Sequence, residues 1–216
     1  MKFDAVLFDC DGVLVDSEPI TNGVLRDMLH EHGWSMTVEE CMHRFVGKAV
    51  VDERASIEAN TGKPLTPEWM VEFRARRNAA LQADVAAIPN VHDAVQRIHV
   101  GYAGRIACAS GADLPKVLLQ LRKVALLPYF EGRAFSGHDM PRSKPFPDVY
   151  LAAAAALGVD PVRCAVVEDT PTGIAAGVAA GATVFGYAPQ GNAEVLLLAG
   201  ARQVFTDMAH LPALLV

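Results

Sequence analysis

Apolar residues in this chain gather into short unbroken runs, each ending at a polar or turn residue. Ala5-Val6-Leu7-Phe8 runs into Asp9, Ile106-Ala107-Cys108-Ala109 into Ser110, and Ala165-Val166-Val167 into Glu168-Asp169. Thr183-Val184-Phe185 runs into Gly186, and Val204-Phe205 follows late. Unbroken runs, as opposed to in-out alternation, belong to strands covered on both faces, as in a parallel sheet. Helical spacing lies between them. The stretch 113–123 carries apolar residues at that spacing, with Pro115 in the first turn, where its missing N–H is harmless. The stretch 147–157 is alanine-rich and stops at Gly158, and 173–180 is rich in small residues and stops at Gly181. Strand alternating with helix predicts an α/β fold, a doubly wound, Rossmann-like parallel sheet.

One long segment breaks the alternation. From about 18 to 87 the pattern predicts helices and no strand: 21–32 with Gly33 as its stop, 37–44 with a Thr37/Glu40 capping box, 50–60, and 67–81, with Thr61-Gly62-Lys63-Pro64 as a turn. The expected division is therefore a core made of 1–16 and 88–216, with an all-helical domain of 17–87 inserted after the first strand, its crossings near 15–17 and 86–90.

Composition narrows the class. A chain of 216 residues with 51% apolar and 20% charged residues suits one domain carrying an insertion and leaves little room for disorder. The formal charge of -6 argues against nucleic acid as a partner but not against a small anion bound at a locally positive site. No cysteine pair has CxxC spacing, and Cys10, Cys108 and Cys164 lie in or beside apolar runs, so they are expected as buried thiols. The start of the chain lacks a signal-peptide pattern, and no apolar stretch approaches the ~18 residues of a membrane helix, so no membrane partner and a cytoplasmic setting are expected. Without coiled-coil heptads, a monomer is the expected state.

The strongest chemical signal is Phe8-Asp9-Cys10-Asp11-Gly12-Val13. Two carboxylates stand at the mouth of a buried strand, and Gly12 permits a tight turn. Ligands of open α/β sheets bind at that end of the strands, although a solvated strand-to-loop turn has the same composition. Ser110 and Glu168-Asp169 end two further strands, and Lys144 lies in Ser143-Lys144-Pro145-Phe146-Pro147-Asp148, where two prolines restrict the loop. Each has an ordinary reading alone: a helix cap, a solvated turn, an exposed lysine.

Taken in order, these residues resemble the haloacid dehalogenase-like hydrolase superfamily over nearly the whole length. Asp9-x-Asp11-Gly12 is similar to its first motif, Ser110 to its second, Lys144 to its third and Glu168-Asp169 to its fourth. The helical insert resembles the small cap of the subgroup containing phosphoglycolate phosphatases and β-phosphoglucomutase. Within it, Arg44-Phe45, Gly47, Phe135-Ser136-Gly137 and 142–147 are most similar to the 6-phosphogluconate phosphatases.

The resemblance implies a magnesium-dependent phosphatase acting on a small phosphorylated metabolite, a sugar phosphate or phospho-sugar acid. Asp9 would be the nucleophile, forming an aspartyl-phosphate, and Asp11 the general acid and base. Mg2+ would be held by Asp9, Asp169, the main-chain carbonyl of Asp11 and, directly or through a neighbour, Glu168. Ser110, Gly111 and Lys144 would hold the phosphoryl oxygens, with Lys144 also keeping Asp9 ionised. An aspartate at position 11 disfavours carbon–halogen cleavage, because the dehalogenases of this superfamily lack it. The cap would close over the site and supply specificity, with Gly47 and Lys48 as candidate substrate contacts; Lys48 could equally be a solvated lysine. Gly47-Lys48 is not a P-loop, since Met42 and Ala49 stand where that motif needs Gly and Ser or Thr.

Other features have plainer readings. Arg74, Arg76 and Arg77 are expected on a solvated helix face. Gly173, Gly177 and Gly181 are expected to let a helix approach the sheet, not to bind a dinucleotide. Two rivals stay open: a β-phosphoglucomutase-like phosphotransferase and a non-catalytic phosphate-binding module. The mutase is weakened by Thr21 and Val50, which stand where that pattern has histidine and arginine; the module is weakened by the intact set Asp9, Asp11, Ser110, Lys144 and Asp169.

Overall fold

The computed structural model describes residues 2–215. Eight strands occur among them: β1 (Ala5–Phe8), β2 (Val15–Asp16), β3 (Ala86–Ala87), β4 (Ile106–Ser110), β5 (Ala134–Ser136), β6 (Cys164–Glu168), β7 (Thr183–Tyr187) and β8 (Gln203–Phe205). Contacts divide the chain into two compact units, one of Met1–Val15 with Ala87–Val216 and one of Asp16–Ala86.

The first unit is built on a six-stranded sheet in the order β5-β4-β1-β6-β7-β8, with every neighbouring pair parallel. β1 lies at the centre. Successive strands step outward from it on one side and then on the other, which is the doubly wound arrangement. β1, β4 and β6 are buried at every position, as their unbroken apolar runs require. Leu7, Ala107, Val166 and Val184 share a core cluster with Val149, Tyr150, Ala153, Ile174 and Ala176 of the flanking helices.

Helix Pro171–Ala179 comes so close to the sheet that a Cβ on Gly177 would lie 2.7 Å from Val184 Cγ2. This is the close approach expected of its glycines. β5 and helix Val91–Gly101 were not part of the sequence expectation. β5 is only three residues long, with intermediate exposure at two of them, so it leaves no apolar run to read.

The second unit packs helices Glu18–Glu31, Val38–Phe45, Arg54–Thr61 and Pro67–Asp84 around Leu25, Met28, Leu29, Cys41, Phe45, Ile57, Trp69 and Phe73. Trp69 and Phe73, four apart on one helix face, stack with centroids 5.7 Å apart. The capping box is present: Thr37 Oγ1 accepts from Glu40 N, and Glu40 Oε2 accepts from Thr37 N at 2.7 Å.

Three expectations need correction in this unit. The first helix begins at Glu18, three residues earlier than expected, because Pro19 fits its first turn. The third begins at Arg54, and the residues just before it form turns. Arg77 is buried instead of solvated: its guanidinium lies 5.8 Å from the Phe73 ring centroid and donates to Asn78 Oδ1. Among the described residues, the two-residue strands β2 and β3 pair as a separate ribbon where the chain passes between units, in a region where no strand was expected.

All four cysteines are free and buried. Among the described residues no helix is long and apolar enough to cross a membrane.

Candidate active site

The turn after β1 is shaped by one carbonyl. Cys10 O accepts from the N–H groups of Val13, Leu14 and Val15, folding the chain back immediately after the strand. Gly12 sits in this turn at φ +75, and a Cβ there would lie 1.9 Å from Asp169 Oδ2. Only glycine tolerates both the angle and the approach. Asp9 N donates to Val167 O at 3.0 Å, which fixes the end of β1 beside the end of β6.

At that junction Lys144 reaches two carboxylates. Its Nζ lies 2.7 Å from Asp9 Oδ1 and 2.7 Å from Glu168 Oε1. The same ammonium lies 4.8 Å from the Tyr150 ring centroid, and the Tyr150 hydroxyl donates to Glu168 Oε1 at 2.9 Å. Glu168 is fully buried, and its other oxygen accepts from Asp169 N, Thr170 N and Thr170 Oγ1. Thr170 in turn caps helix Pro171–Ala179 by accepting from Gly173 N. Gly173 is required here, since a Cβ on it would fall 1.7 Å from Glu168 Oε1.

Burial and charge oppose each other in this cluster. Burial pushes Asp9 up to about 7, against the pull of the Lys144 ammonium. For Lys144, burial works against the charge, but the carboxylates of Asp9 and Glu168 prevail and hold it well above its ordinary value. Tyr150 is raised well above the usual phenol range by burial and then by Glu168, so it remains a donor.

Carboxylate oxygens of Asp9, Glu168 and Asp169 lie within 4.8 Å of one another. Three acidic groups this close repel unless cations stand among them. The donor set, all hard oxygen, suits a divalent cation of the magnesium type. The absence of a Cβ at Gly12 is what admits the Asp169 carboxylate to this corner. The residues present therefore fit a metal ion. Glu168 is the least available of the three, because five hydrogen bonds already occupy its two oxygens.

On the other side of β1, Ser110 ends β4 almost fully buried, and its Oγ accepts from Ala112 N at 3.0 Å. Ser136, at the end of β5, donates to Ala112 O and so anchors the same turn, which includes Gly111. Asp11 belongs to a different group of contacts. Its Oδ1 lies 2.8 Å from Lys116 Nζ and accepts from Gln120 Nε2 at 2.9 Å.

Of the residues singled out in the sequence, Asp9, Lys144, Glu168 and Asp169 thus meet in one corner, with Asp11 in the turn after β1 and Ser110 at the end of β4. Lys48 and Gly47 belong to the helical unit. Gly47 has φ +75, and Lys48 Nζ pairs with Glu53 Oε1 at 3.1 Å. Sequence reasoning missed Lys116, Gln120, Tyr150 and Thr170. A tyrosine inside an apolar helix face needs a partner for its hydroxyl, and that was the one signal available for Tyr150.

Comparison with known proteins gives the family. The family described as haloacid dehalogenase-like hydrolase matches residues 3–181. The chain is 28% identical over 214 residues to 6-phosphogluconate phosphatase of Escherichia coli, covering 99% of this chain and 95% of that protein. It is 32% identical to hexitol phosphatase B of the same organism, covering 82% of this chain and 79% of that one. Among solved structures, a HAD family hydrolase from Deinococcus radiodurans, with bound phosphate and sodium, superposes with a TM-score of 0.80 at 35% identity, covering 99% of this chain and 95% of that one. With a six-stranded doubly wound sheet and a family match over most of its length, the chain belongs to the haloacid dehalogenase-like hydrolases.

Proposed function

We propose that this hydrolase is a magnesium-dependent phosphatase that removes phosphate from a small phosphorylated metabolite, a sugar phosphate or phospho-sugar acid, through an aspartyl-phosphate on Asp9. One observation carries the reading: a buried carboxylate, Asp9, held 2.7 Å from a buried ammonium, Lys144, beside a second acidic pair. A carboxylate can attack a phosphate monoester only where cations offset the charge of both partners. The names of two relatives, 6-phosphogluconate phosphatase and hexitol phosphatase B, support the substrate class. The phosphate and sodium in the Deinococcus hydrolase support an anion and a cation as ligands.

Asp9, Asp169 and the Asp11 main-chain carbonyl would hold the magnesium ion, with Glu168 bracing Lys144 and the Asp169 loop. When bound, the ion supplies positive charge beside the phosphoryl group and keeps Asp9 ionised. Lys144 spends two of its three N–H donors on Asp9 and Glu168 and offers the third to a phosphoryl oxygen. Ser110, whose oxygen already accepts from Ala112 N, offers its O–H to another, alongside Gly111 N–H. Asp9 attacks phosphorus in line, so that an Asp9 O–P bond forms as the ester P–O bond breaks. Asp11 donates a proton to the departing oxygen, a role worth ~10²–10⁴-fold in rate. Water then attacks the phosphorus of the aspartyl-phosphate, Asp11 takes its proton, and inorganic phosphate leaves with Asp9 restored.

In this reading residues 17–87 are a cap that selects the substrate and excludes water. Gly47 and Lys48 are its contacts, and the exposed Lys48 can exchange its half-buried partner Glu53 for a substrate anion.

The test is a phosphate-release screen of the purified protein against phosphorylated metabolites with Mg2+. Turnover that stops on chelation is expected. Free phosphate, with no isomerised sugar phosphate, separates this reading from a mutase. Asp9→Asn is expected to lose more than about 10³-fold in turnover while keeping its far-UV circular dichroism. A variant that turned over at the wild-type rate would remove Asp9 as the nucleophile.

A further inference from the structure

Helix Leu114–Lys123 places two polar side chains inside the core unit, and the chemistry assigned so far uses neither. Lys116 is 5% exposed and Gln120 fully buried. Four apart, they lie on one face of the helix, and both reach the same atom, Asp11 Oδ1, at 2.8 and 2.9 Å. The helix is fixed at its start by Asp113, which accepts from Lys116 N at 3.1 Å. The amide of Gln120 is also oriented, because Cys10 Sγ donates to its Oε1 at 3.8 Å. That contact leaves Nε2 to face Asp11. Burying an ammonium and a primary amide costs free energy that apolar residues of the same size would not incur, so a packing role alone does not explain them.

We propose that Lys116 and Gln120 are positioning residues that fix the side-chain rotamer of Asp11 for proton transfer to and from the reacting oxygens. They touch neither the phosphoryl group nor the metal in this scheme and act only through Asp11. The result is a division of labour along one loop. Lys144 sets the nucleophile Asp9, and Lys116 with Gln120 sets the proton carrier two residues later. The inference rests on the phosphatase reading above.

The test compares leaving groups. p-Nitrophenolate departs without protonation, whereas the alkoxide of an aliphatic ester needs a proton from Asp11. The ratio kcat/KM covers only the steps through ester cleavage, so it isolates that proton transfer. Lys116→Met and, separately, Gln120→Leu are measured with p-nitrophenyl phosphate and with the best aliphatic ester from the screen. The expected loss on the aliphatic ester is at least about tenfold greater than on p-nitrophenyl phosphate. In an Asp11→Asn background, either change is expected to cost less than about twofold more, because the group it positions is gone. Equal losses on the two esters, or full additivity with Asp11→Asn, would show a packing role and overturn the inference. If Lys116→Met does not fold, Gln120→Leu decides by the same criterion. A wild-type protein that hydrolyses neither ester overturns the phosphatase reading and the inference with it; a wild-type protein active on both, with unselective variants, overturns the inference alone.

Discussion

Lys144 in the core unit and Arg76 in the helical unit each bridge two carboxylates. Lys144 holds Asp9 and Glu168, and Arg76 holds Glu31 and Glu72. The Lys144 side chain is 9% exposed and that of Arg76 41%. Water screens the second arrangement and competes for every bond in it, so such pairs contribute little to stability. The first is shielded from water. It carries the desolvation penalty of three charges, and it lies at the mouth of β1, where the chemistry is proposed. Both clusters look alike as lists of contacts, and burial is what separates a structural decoration from a site.

Breaking the buried bridge should have the largest effect. Lys144→Met leaves Asp9 and Glu168 facing each other without their ammonium, and a loss of about 3–5 kcal/mol in unfolding free energy is expected by urea titration, together with loss of turnover. A variant as stable and active as wild type would place Lys144 with the ornamental pairs. The next effect sharpens the comparison through pH. Asp9 is pushed up to about 7 in the metal-free protein, so below that pH a proton competes with a cation for its carboxylate. Apparent magnesium affinity, read by calorimetry, should rise about tenfold per pH unit up to 7 and level off above it. In Asp9→Asn the slope should vanish. A flat profile in the wild type would mean that Asp9 does not carry the competing proton. The smallest effect belongs to the surface. Arg76→Gln should shift the melting temperature by no more than about 2 °C in a calorimetric scan. A much larger shift would erase the distinction drawn between the two bridges.

Much of this contrast was legible from residue order, and the limits are physical. β1, β4 and β6 were readable because strands covered on both faces must be apolar throughout. Asp9, Ser110 and Glu168 were readable because each interrupts such a run. Lys144 was readable only through its resemblance to a family motif, since a lysine between loop prolines is otherwise ordinary. Lys116 and Gln120 gave no signal. In the stretch Leu114-Pro115-Lys116-Val117-Leu118-Leu119-Gln120 they look like the solvent face of an amphipathic helix, and their meaning depends on Asp11, over a hundred positions earlier. Arg77 failed in the same way: a run of arginines suggests water, and only tertiary packing put one of them under Phe73. β5 was too short and too close to the sheet edge to leave a pattern.

The central place of β1 also bears on how the molecule is made. Val6 is hydrogen-bond neighbour to the strand of Ile106 on one side and to that of Ala165 on the other. The segment carrying Asp9 therefore leaves the ribosome well before either flanking strand is synthesised. Until the last of them emerges, a sticky apolar tetrapeptide has nothing to pair with. Pairings between such distant segments form slowly and leave nascent chains open to aggregation and to chaperone capture.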